Sequence, residues 1–98
     1  MEYRLEYSKQ AKKDSEKLTS AGLDGKAIEL LKIIKHNPYK PPFEKLTREL
    51  KGCYSRKINK QHRIVYELLP NKNNLKDENG NLYSGIAHIL RMWTHYGD

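Results

Sequence analysis

The spacing of apolar positions near the start of the chain predicts a strand followed by a helix. Residues 3–7 (YRLEY) alternate between apolar and charged side chains, and a period of two is typical of a short strand. Ser8 then offers an N-cap for a helix over residues 9–22. The apolar face of this helix is thin and consists of Ala11, Leu18 and Ala21.

A second helix is predicted over residues 24–37, where apolar side chains recur at intervals of three and four. Pro38 and the prolines after it end this helix, because proline lacks a backbone donor and restricts the residue before it. The two helices indicate an antiparallel hairpin that covers one face of a sheet. The apolar stripe of the second helix comprises Ala27, Leu30, Leu31 and Ile34, widened by Ile28 and Ile33.

After the second helix the period changes to that of strands. Residues 53–58 (CYSRKI) and 62–69 (HRIVYELL) are predicted strands joined by a polar turn. The polar stretch from Asn71 to Gly80 lacks periodicity and predicts a long hairpin excursion, mobile at its tip. Residues 86–96 (IAHILRMWTHY) predict the last strand. Its two faces hold Ile86, His88, Leu90 and Met92 on one side and Ala87, Ile89, Arg91 and Trp93 on the other.

The predicted elements follow the order β-α-α-β-β-β. Strands that follow a pair of helices are typical of the α+β class, here a helical hairpin packed on a mainly antiparallel twisted sheet. A chain of 98 residues is expected to form one domain over residues 1–98. Trp93 is expected to anchor the last strand by packing, since aromatic residues near a chain end are lost to solvent unless they are held.

Composition and charge restrict the classes of function. Cys53 is the only cysteine, which excludes an intrachain disulfide and a cysteine-based zinc site. The first residues lack the apolar run of a signal peptide and no stretch is long enough to span a membrane, so we expect a cytoplasmic protein without membrane contact. The net charge of +7 favours a polyanionic partner, either nucleic acid or an acidic protein. A protein whose surface is merely rich in lysine is the alternative.

Three side chains could together cleave RNA without a metal. Glu44 follows the prolines, while Arg63 and His95 lie on predicted strands and could meet on one face of the sheet. In that reaction a base takes the proton of the ribose 2′-hydroxyl, a cation stabilises the phosphorane, and an acid protonates the departing 5′-oxygen. Glutamate, arginine and histidine suit these roles, so neither a metal nor another cofactor is expected. Taken singly, each residue has an ordinary interpretation as a surface side chain.

The stretch GCYSRKINKQHRIVYEL, together with THY near the chain end, resembles the YoeB/Txe family of bacterial toxins within the RelE-like superfamily. The resemblance is close over about residues 38–68 and again over residues 94–96, while the helices agree in order and length but little in detail. It implies an mRNA interferase, a ribosome-dependent endoribonuclease that cuts mRNA in the ribosomal A site and is silenced by an antitoxin encoded beside it.

The resemblance implies roles for individual residues. Glu44, in PFEKL, matches the general base of the family. Arg63 matches the phosphate-binding arginine, and His95 matches the general acid. Tyr96 matches the terminal aromatic residue that orients the substrate. Together these four residues form the catalytic set that the resemblance predicts.

Residues around the strand over 53–58 are implied to bind RNA. Arg56 and Lys57 match a Ser-Arg-Arg pair that contributes positive charge near the scissile phosphate or the ribosome. Tyr54 and Tyr66 are expected to be half-buried strand residues. Tyr54 could instead stack on a base if it faces the site.

The chain departs from the family pattern in two places. Relatives commonly carry a lysine three residues after the base, where this chain has Thr47. Arg48 or Lys51 could supply the missing charge and bind RNA in its place, and the sequence leaves this open. The chain also continues past the terminal tyrosine of the family with Gly97 and Asp98.

The resemblance also implies partners. These are a cognate acidic antitoxin of the YefM/Phd-like type, the 70S ribosome with its mRNA, and operator DNA only through the antitoxin complex; a homodimer is left open. An acidic antitoxin segment would fold onto the positive surface. Two other functions are weighed against the interferase: a non-catalytic toxin of the ParE type, which acts on DNA gyrase, and a basic module that only binds nucleic acid.

Overall fold

The computed structural model of the protein describes residues 2–93. His95 and Tyr96, to which the resemblance gives catalytic roles, lie outside the described residues, as do Gly97 and Asp98. The helices and strands are β1 (Tyr3–Tyr7), α1 (Lys9–Ser20), α2 (Asp24–His36), β2 (Glu44–Lys45), β3 (Cys53–Lys57), β4 (Arg63–Leu69) and β5 (Gly85–Arg91), with a 3-10 turn at Arg48–Leu50.

Within residues 2–93, five strands form one sheet in the order β1-β5-β4-β3-β2. β1 pairs with β5 in parallel, and the other neighbouring strands pair in an antiparallel manner. The predicted α+β class and the mainly antiparallel sheet are therefore confirmed. The sequence does not predict β2, because two residues are too few to show an alternation.

The two helices pack against one face of this sheet. Ser8 caps α1 as predicted, since its hydroxyl oxygen accepts a hydrogen bond from the Ala11 N–H at 2.9 Å. Two predicted apolar positions are wrong: Ala21 is exposed because α1 ends before it, and Ile28 is 49% exposed because it turns away from the buried stripe. Among residues 2–93, no helix has the length and apolar character to cross a membrane. The buried core comprises Ala11, Leu18, Ala27, Leu30, Ile34, Ile58, Ile64, Tyr66, Ala87, Ile89 and Met92.

The last strand is shorter than predicted and changes register near its end. β5 ends at Arg91, which pairs with Val65 of β4. The next residue of β4, Tyr66, pairs with Ile89, so one residue of β5 is passed over as at a β-bulge. The predicted alternation fails beyond this point. Met92, predicted on the face opposite Ile89, is buried in the core with it.

The polar excursion between β4 and β5 forms no regular element beyond a single bridge pair among the described residues. The Asn71 amide donates to the backbone oxygens of Leu75 and Tyr83 and accepts from the Leu75 N–H. The Asp77 carboxylate accepts hydrogen bonds from two backbone N–H groups at the tip. The predicted hairpin without periodicity is confirmed, and the mobility of its tip stays a prediction.

Candidate functional site

Strand pairing brings the predicted base and the predicted phosphate-binding residue to one face of the sheet. In β2, Glu44 lies opposite Ser55 of β3, and in β4, Arg63 lies opposite Lys57 of β3. Ser55 and Lys57 are two residues apart on one strand, so their side chains share a face. This group across three strands, hereafter the Glu44–Arg63 site, comprises Glu44, Ser55, Lys57 and Arg63.

The Arg63 guanidinium forms hydrogen bonds to two other residues of this site, Glu44 and Ser55. Its Nη1 donates to Glu44 Oε2 at 2.9 Å and to the Ser55 hydroxyl oxygen at 3.4 Å. The Arg63 side chain is 18% exposed, whereas that of Glu44 is 56% exposed. An ion pair this open contributes at most about 1 kcal/mol to stability, so a phosphate could replace the carboxylate at little cost. The site therefore sets a proton acceptor beside a cation that suits phosphate.

A cleft of about 350 Å³ is lined by residues of α2 and β3 and borders the Glu44–Arg63 site. Lys57 lines it and is exposed, which agrees with the positive charge predicted there. Lys26 of α2 brings a second ammonium group to the cleft. The sequence does not single out Lys26, because a lysine on an exposed helix face carries no distinguishing pattern. The rest of the lining is Leu30, Ile33, Pro42, Phe43, Glu44, Ser55 and Arg56.

Arg56, predicted to bring positive charge to the scissile phosphate, is buried in the protein instead. It is 2% exposed, and its guanidinium donates to the backbone oxygens of Pro38 and Pro42 and to the Tyr66 hydroxyl oxygen at 3.0 to 3.2 Å. The period of the strand explains this burial, since Arg56 points to the opposite face of β3 from Lys57. Arg56 therefore holds the proline-rich segment that leads into β2.

Tyr54 lies on the face of β3 turned away from the Glu44–Arg63 site. Its ring stacks on that of Tyr66 with centroids 5.6 Å apart and meets the rings of Tyr39 and Phe43 edge-on. The predicted half-burial of Tyr54 is confirmed, and its contacts favour packing over base stacking. Tyr66, also predicted half-buried, is fully buried, and this burial raises the pKa of its hydroxyl.

Arg48 and Lys51, the predicted replacements for a family lysine, are both exposed. Arg48 opens the 3-10 turn with a φ of +58°, and Lys51 lines a separate groove with Lys45 and Thr47. Within residues 2–93, neither of them lines the cleft beside the Glu44–Arg63 site. Their role in RNA binding stays a prediction.

The described part of the chain ends near Arg63. β5 runs antiparallel to β4, so Met92 and Trp93 continue toward the end of β4 at which Arg63 lies. There the Trp93 ring stacks on His62, with centroids 4.0 Å apart and planes inclined by 21°. Trp93 is half-buried against the core, which confirms its predicted role as a packing anchor.

Asp14 is a fully buried carboxylate in α1 that sequence analysis did not single out. It accepts hydrogen bonds from Arg91 Nε and the Met92 N–H, both at 2.9 Å, and from the side-chain amide of Gln10. Burial alone would raise the pKa of this carboxyl, but the hydrogen bonds together hold it below its usual value. The signal was present in the spacing, because Asp14 follows Ala11 by three residues and so lies on the apolar face of α1.

Elsewhere on the sheet, the carboxylate of Glu67 contacts the imidazole of His88. Glu67 lies four residues beyond Arg63 on β4, and its Oε2 is 3.1 Å from His88 Nδ1. Both side chains are about one-third exposed. Across residues 2–93, no three His, Cys, Asp or Glu side chains cluster as metal ligands would. The Glu67–His88 pair thus offers a carboxylate comparable to Glu44 outside the site.

Comparison with known families identifies a match over most of the chain. The model of the YoeB-like toxins of bacterial type II toxin–antitoxin systems matches residues 6–78. These residues include Glu44 and Arg63 and end before His95. No curated protein sequence matches this chain significantly.

Solved structures agree with this match. The YoeB–YefM complex from Staphylococcus aureus contains a chain with 30% identity and a TM-score of 0.67, over 96% of this chain and 98% of that one. A YoeB/ParE toxin from Agrobacterium tumefaciens (21% identity, TM-score 0.73, 95% and 99% covered) and YafQ from E. coli strain BL21(DE3) (19%, 0.68, 95% and 93%) share the fold. This chain therefore belongs to the family of YoeB-like toxins of bacterial type II toxin–antitoxin systems.

Proposed function

We propose that this toxin is a ribosome-dependent endoribonuclease that cuts mRNA in the A site and thereby stops translation. The observation that carries the proposal is the 2.9 Å contact between Glu44 and Arg63 on an accessible face of the sheet. It sets a proton acceptor beside a phosphate-binding cation, which are two of the three groups that metal-free RNA cleavage needs. Membership of the YoeB-like family supports the same activity.

The first step is an exchange of partners on Arg63. In the free protein Glu44 occupies part of the guanidinium that the scissile phosphate would bind. A phosphate forms paired, charge-assisted hydrogen bonds with Arg63 and displaces the exposed carboxylate. The freed Glu44 then lies beside the ribose of the bound nucleotide, where it takes the proton of the 2′-hydroxyl.

The 2′-oxygen then attacks the adjacent phosphorus, and the bond from phosphorus to the 5′-oxygen breaks. The products carry a 2′,3′-cyclic phosphate and a 5′-hydroxyl. Negative charge builds up on the phosphorane, and Arg63 stabilises it with the support of Lys57, which lies opposite it in the sheet. Ser55 helps to hold the guanidinium while Glu44 is displaced.

We assign protonation of the departing 5′-oxygen to His95 and orientation of the substrate to Tyr96. His95 follows Trp93 by two residues in the sequence. The Trp93 ring stacks on His62, the residue next to Arg63. We therefore propose that His95 reaches a phosphate bound at Arg63.

The partners follow from the charge and the family. A net charge of +7 suits the ribosome and an acidic antitoxin segment of the YefM/Phd-like type, which would cover the Glu44–Arg63 site. The similar chains from Staphylococcus aureus are found in a complex with YefM and as a dimer. We propose an antitoxin complex for this chain as well, and contact with operator DNA only through it.

The test is a translation reaction with purified ribosomes and a defined mRNA, in which primer extension maps the cuts. Wild-type protein is expected to cut within A-site codons only when ribosomes are present. His95→Ala is expected to lower the cleavage rate by about 10²–10⁴-fold, the usual contribution of a general acid. Binding of the antitoxin to this variant should persist, since the surface charge that attracts an acidic segment is nearly unchanged.

Other results would redirect the assignment. Cuts that appear without ribosomes would contradict the ribosome dependence. An absence of cuts with translation unaffected would overturn the proposal and favour a ParE-type toxin or a module that only binds nucleic acid. Those two alternatives separate in a supercoiling assay with DNA gyrase, which only the first would inhibit.

A further inference from the structure

We infer that Asp14 of α1 is a positioning residue for the end of the described chain, Met92 and Trp93, which precedes the proposed general acid His95 in the sequence. The inference rests on the proposed function only for what the positioned end does, because the contacts of Asp14 do not involve the Glu44–Arg63 site. No catalytic step in that function uses Asp14.

The N-cap and the first half of α1 form hydrogen bonds with the end of β5 and the residue after it. At its N-terminus, the Ser8 N–H donates to the Ile89 oxygen at 3.0 Å, and the Ser8 hydroxyl donates to the Leu90 oxygen at 2.9 Å. Asp14, almost two turns later, binds the next two residues. Its Oδ2 accepts hydrogen bonds from Arg91 Nε and from the Met92 N–H. Four consecutive residues, 89–92, are thus bound by one helix and its cap.

The need for a carboxylate at this point comes from the end of the strand. β5 ends at Arg91, so the Met92 N–H has left the hydrogen-bond ladder of the sheet while Met92 itself is only 2% exposed. A buried N–H without an acceptor is costly, and Asp14 supplies the acceptor. Arg91 balances the charge of the carboxylate, without which its burial would be unfavourable.

Asp14 holds Met92 at the point where the chain leaves β5. Trp93 follows directly and stacks on His62, next to Arg63. Without Asp14, Met92 would lose its hydrogen-bonded anchor, and the position of Met92 and Trp93, from which the chain continues to His95, would vary. A misplacement of about 1 Å can lower a rate about 10²-fold.

The test compares Asp14→Asn with Gln10→Ala. Asparagine keeps the shape but removes the charge that pairs with Arg91, whereas Gln10→Ala removes a bond to the other carboxylate oxygen and leaves both bonds to the chain end intact. Trp93 is the only tryptophan of the chain, so its emission and its quenching by acrylamide report directly on the segment after β5.

Asp14→Asn is expected to show stronger acrylamide quenching of Trp93 with an unchanged far-ultraviolet circular dichroism spectrum. On ribosomes carrying a cleavable codon, its rate at saturating protein should fall about 10²-fold, while the concentration that gives half of that rate stays the same. Gln10→Ala should match wild type in both measurements. If Asp14→Asn does not fold, Arg91→Gln is judged by the same readouts.

Two results would overturn the inference. Wild-type quenching of Trp93 in the folded Asp14 variant would show that Asp14 does not hold the chain end. Stronger quenching with a wild-type rate would show that the held position does not serve catalysis. A wild-type protein that cuts no mRNA would instead remove the proposed function, and the Trp93 measurement would still decide whether Asp14 holds the chain end.

Discussion

Glu44→Gln is expected to lower the rate of A-site mRNA cleavage by about 10²–10⁴-fold, the usual contribution of a general base. Glutamine keeps the size of the side chain and a weaker contact with Arg63, but it cannot take the proton of the 2′-hydroxyl. Because the Glu44 side chain is 56% exposed, the free energy of unfolding should change by no more than about 0.5 kcal/mol. Single-turnover cleavage on programmed ribosomes and urea denaturation measure the two effects.

Glu67→Gln is the matched control for this variant. Glu67 is also a partly exposed carboxylate on the sheet with a basic partner, His88, but it lies outside the Glu44–Arg63 site. Its removal should leave the cleavage rate unchanged. Equal loss in the two variants would mean that the net charge of the sheet matters and not the position of Glu44. A fully active Glu44→Gln protein would rule out Glu44 as the base.

Arg63→Lys is expected to lower the cleavage rate by about 10²–10³-fold, the cost of removing one well-placed donor from a developing negative charge. Lysine retains the positive charge, but its ammonium group cannot form the paired hydrogen bonds that a guanidinium makes with phosphate oxygens. It also cannot reproduce the simultaneous contacts of Arg63 with Glu44 and Ser55. The loss should appear in the rate at saturating protein, because ribosome binding depends mainly on total charge.

Arg4→Lys provides the comparison for this variant. Arg4 lies on β1 and pairs with Glu6 at 3.3 Å, and both side chains are nearly half exposed. The same exchange there should leave the cleavage rate at the wild-type level. An Arg63→Lys protein that cleaves as fast as wild type would show that a point charge suffices, which would contradict the phosphate-binding role given to the guanidinium.

Local patterns predicted the elements that their own residues determine. The stripe of α2 recurs every three or four residues, and Ala27 and Ile34 are buried as that spacing requires. Ser8 acts as the N-cap because its hydroxyl accepts a hydrogen bond from a backbone N–H three residues later, a contact that lies within the local sequence. By contrast, β2 exists through its pairing with β3, and a strand of two residues leaves no trace in the alternation.

The sequence alone does not give the geometry of the candidate site, because that geometry depends on strand faces and on pairing between distant segments. Arg56 and Lys57 are adjacent and equally charged, but one is buried and the other exposed, because successive strand residues face opposite sides of a sheet. A sequence motif identifies both residues but does not show on which face of the sheet each side chain lies. The contact between Glu44 and Arg63 spans three strands, so the sequence places both residues in one candidate set but does not predict their contact. The spacing on α1 places Asp14 on the apolar face, but its partners follow it by 77 and 78 residues, so the sequence does not show what it contacts.

Attack by the 2′-hydroxyl is tested by replacing a single ribose in the mRNA. Two mRNAs are compared on purified ribosomes with wild-type protein: one all-ribose, and one with a 2′-deoxynucleotide immediately 5′ of the mapped cut. We expect cleavage of the first, with a 2′,3′-cyclic phosphate at the new end, and no cleavage of the second at that position. Equal cleavage of both mRNAs, or of neither, would contradict attack by the 2′-hydroxyl at the Glu44–Arg63 site.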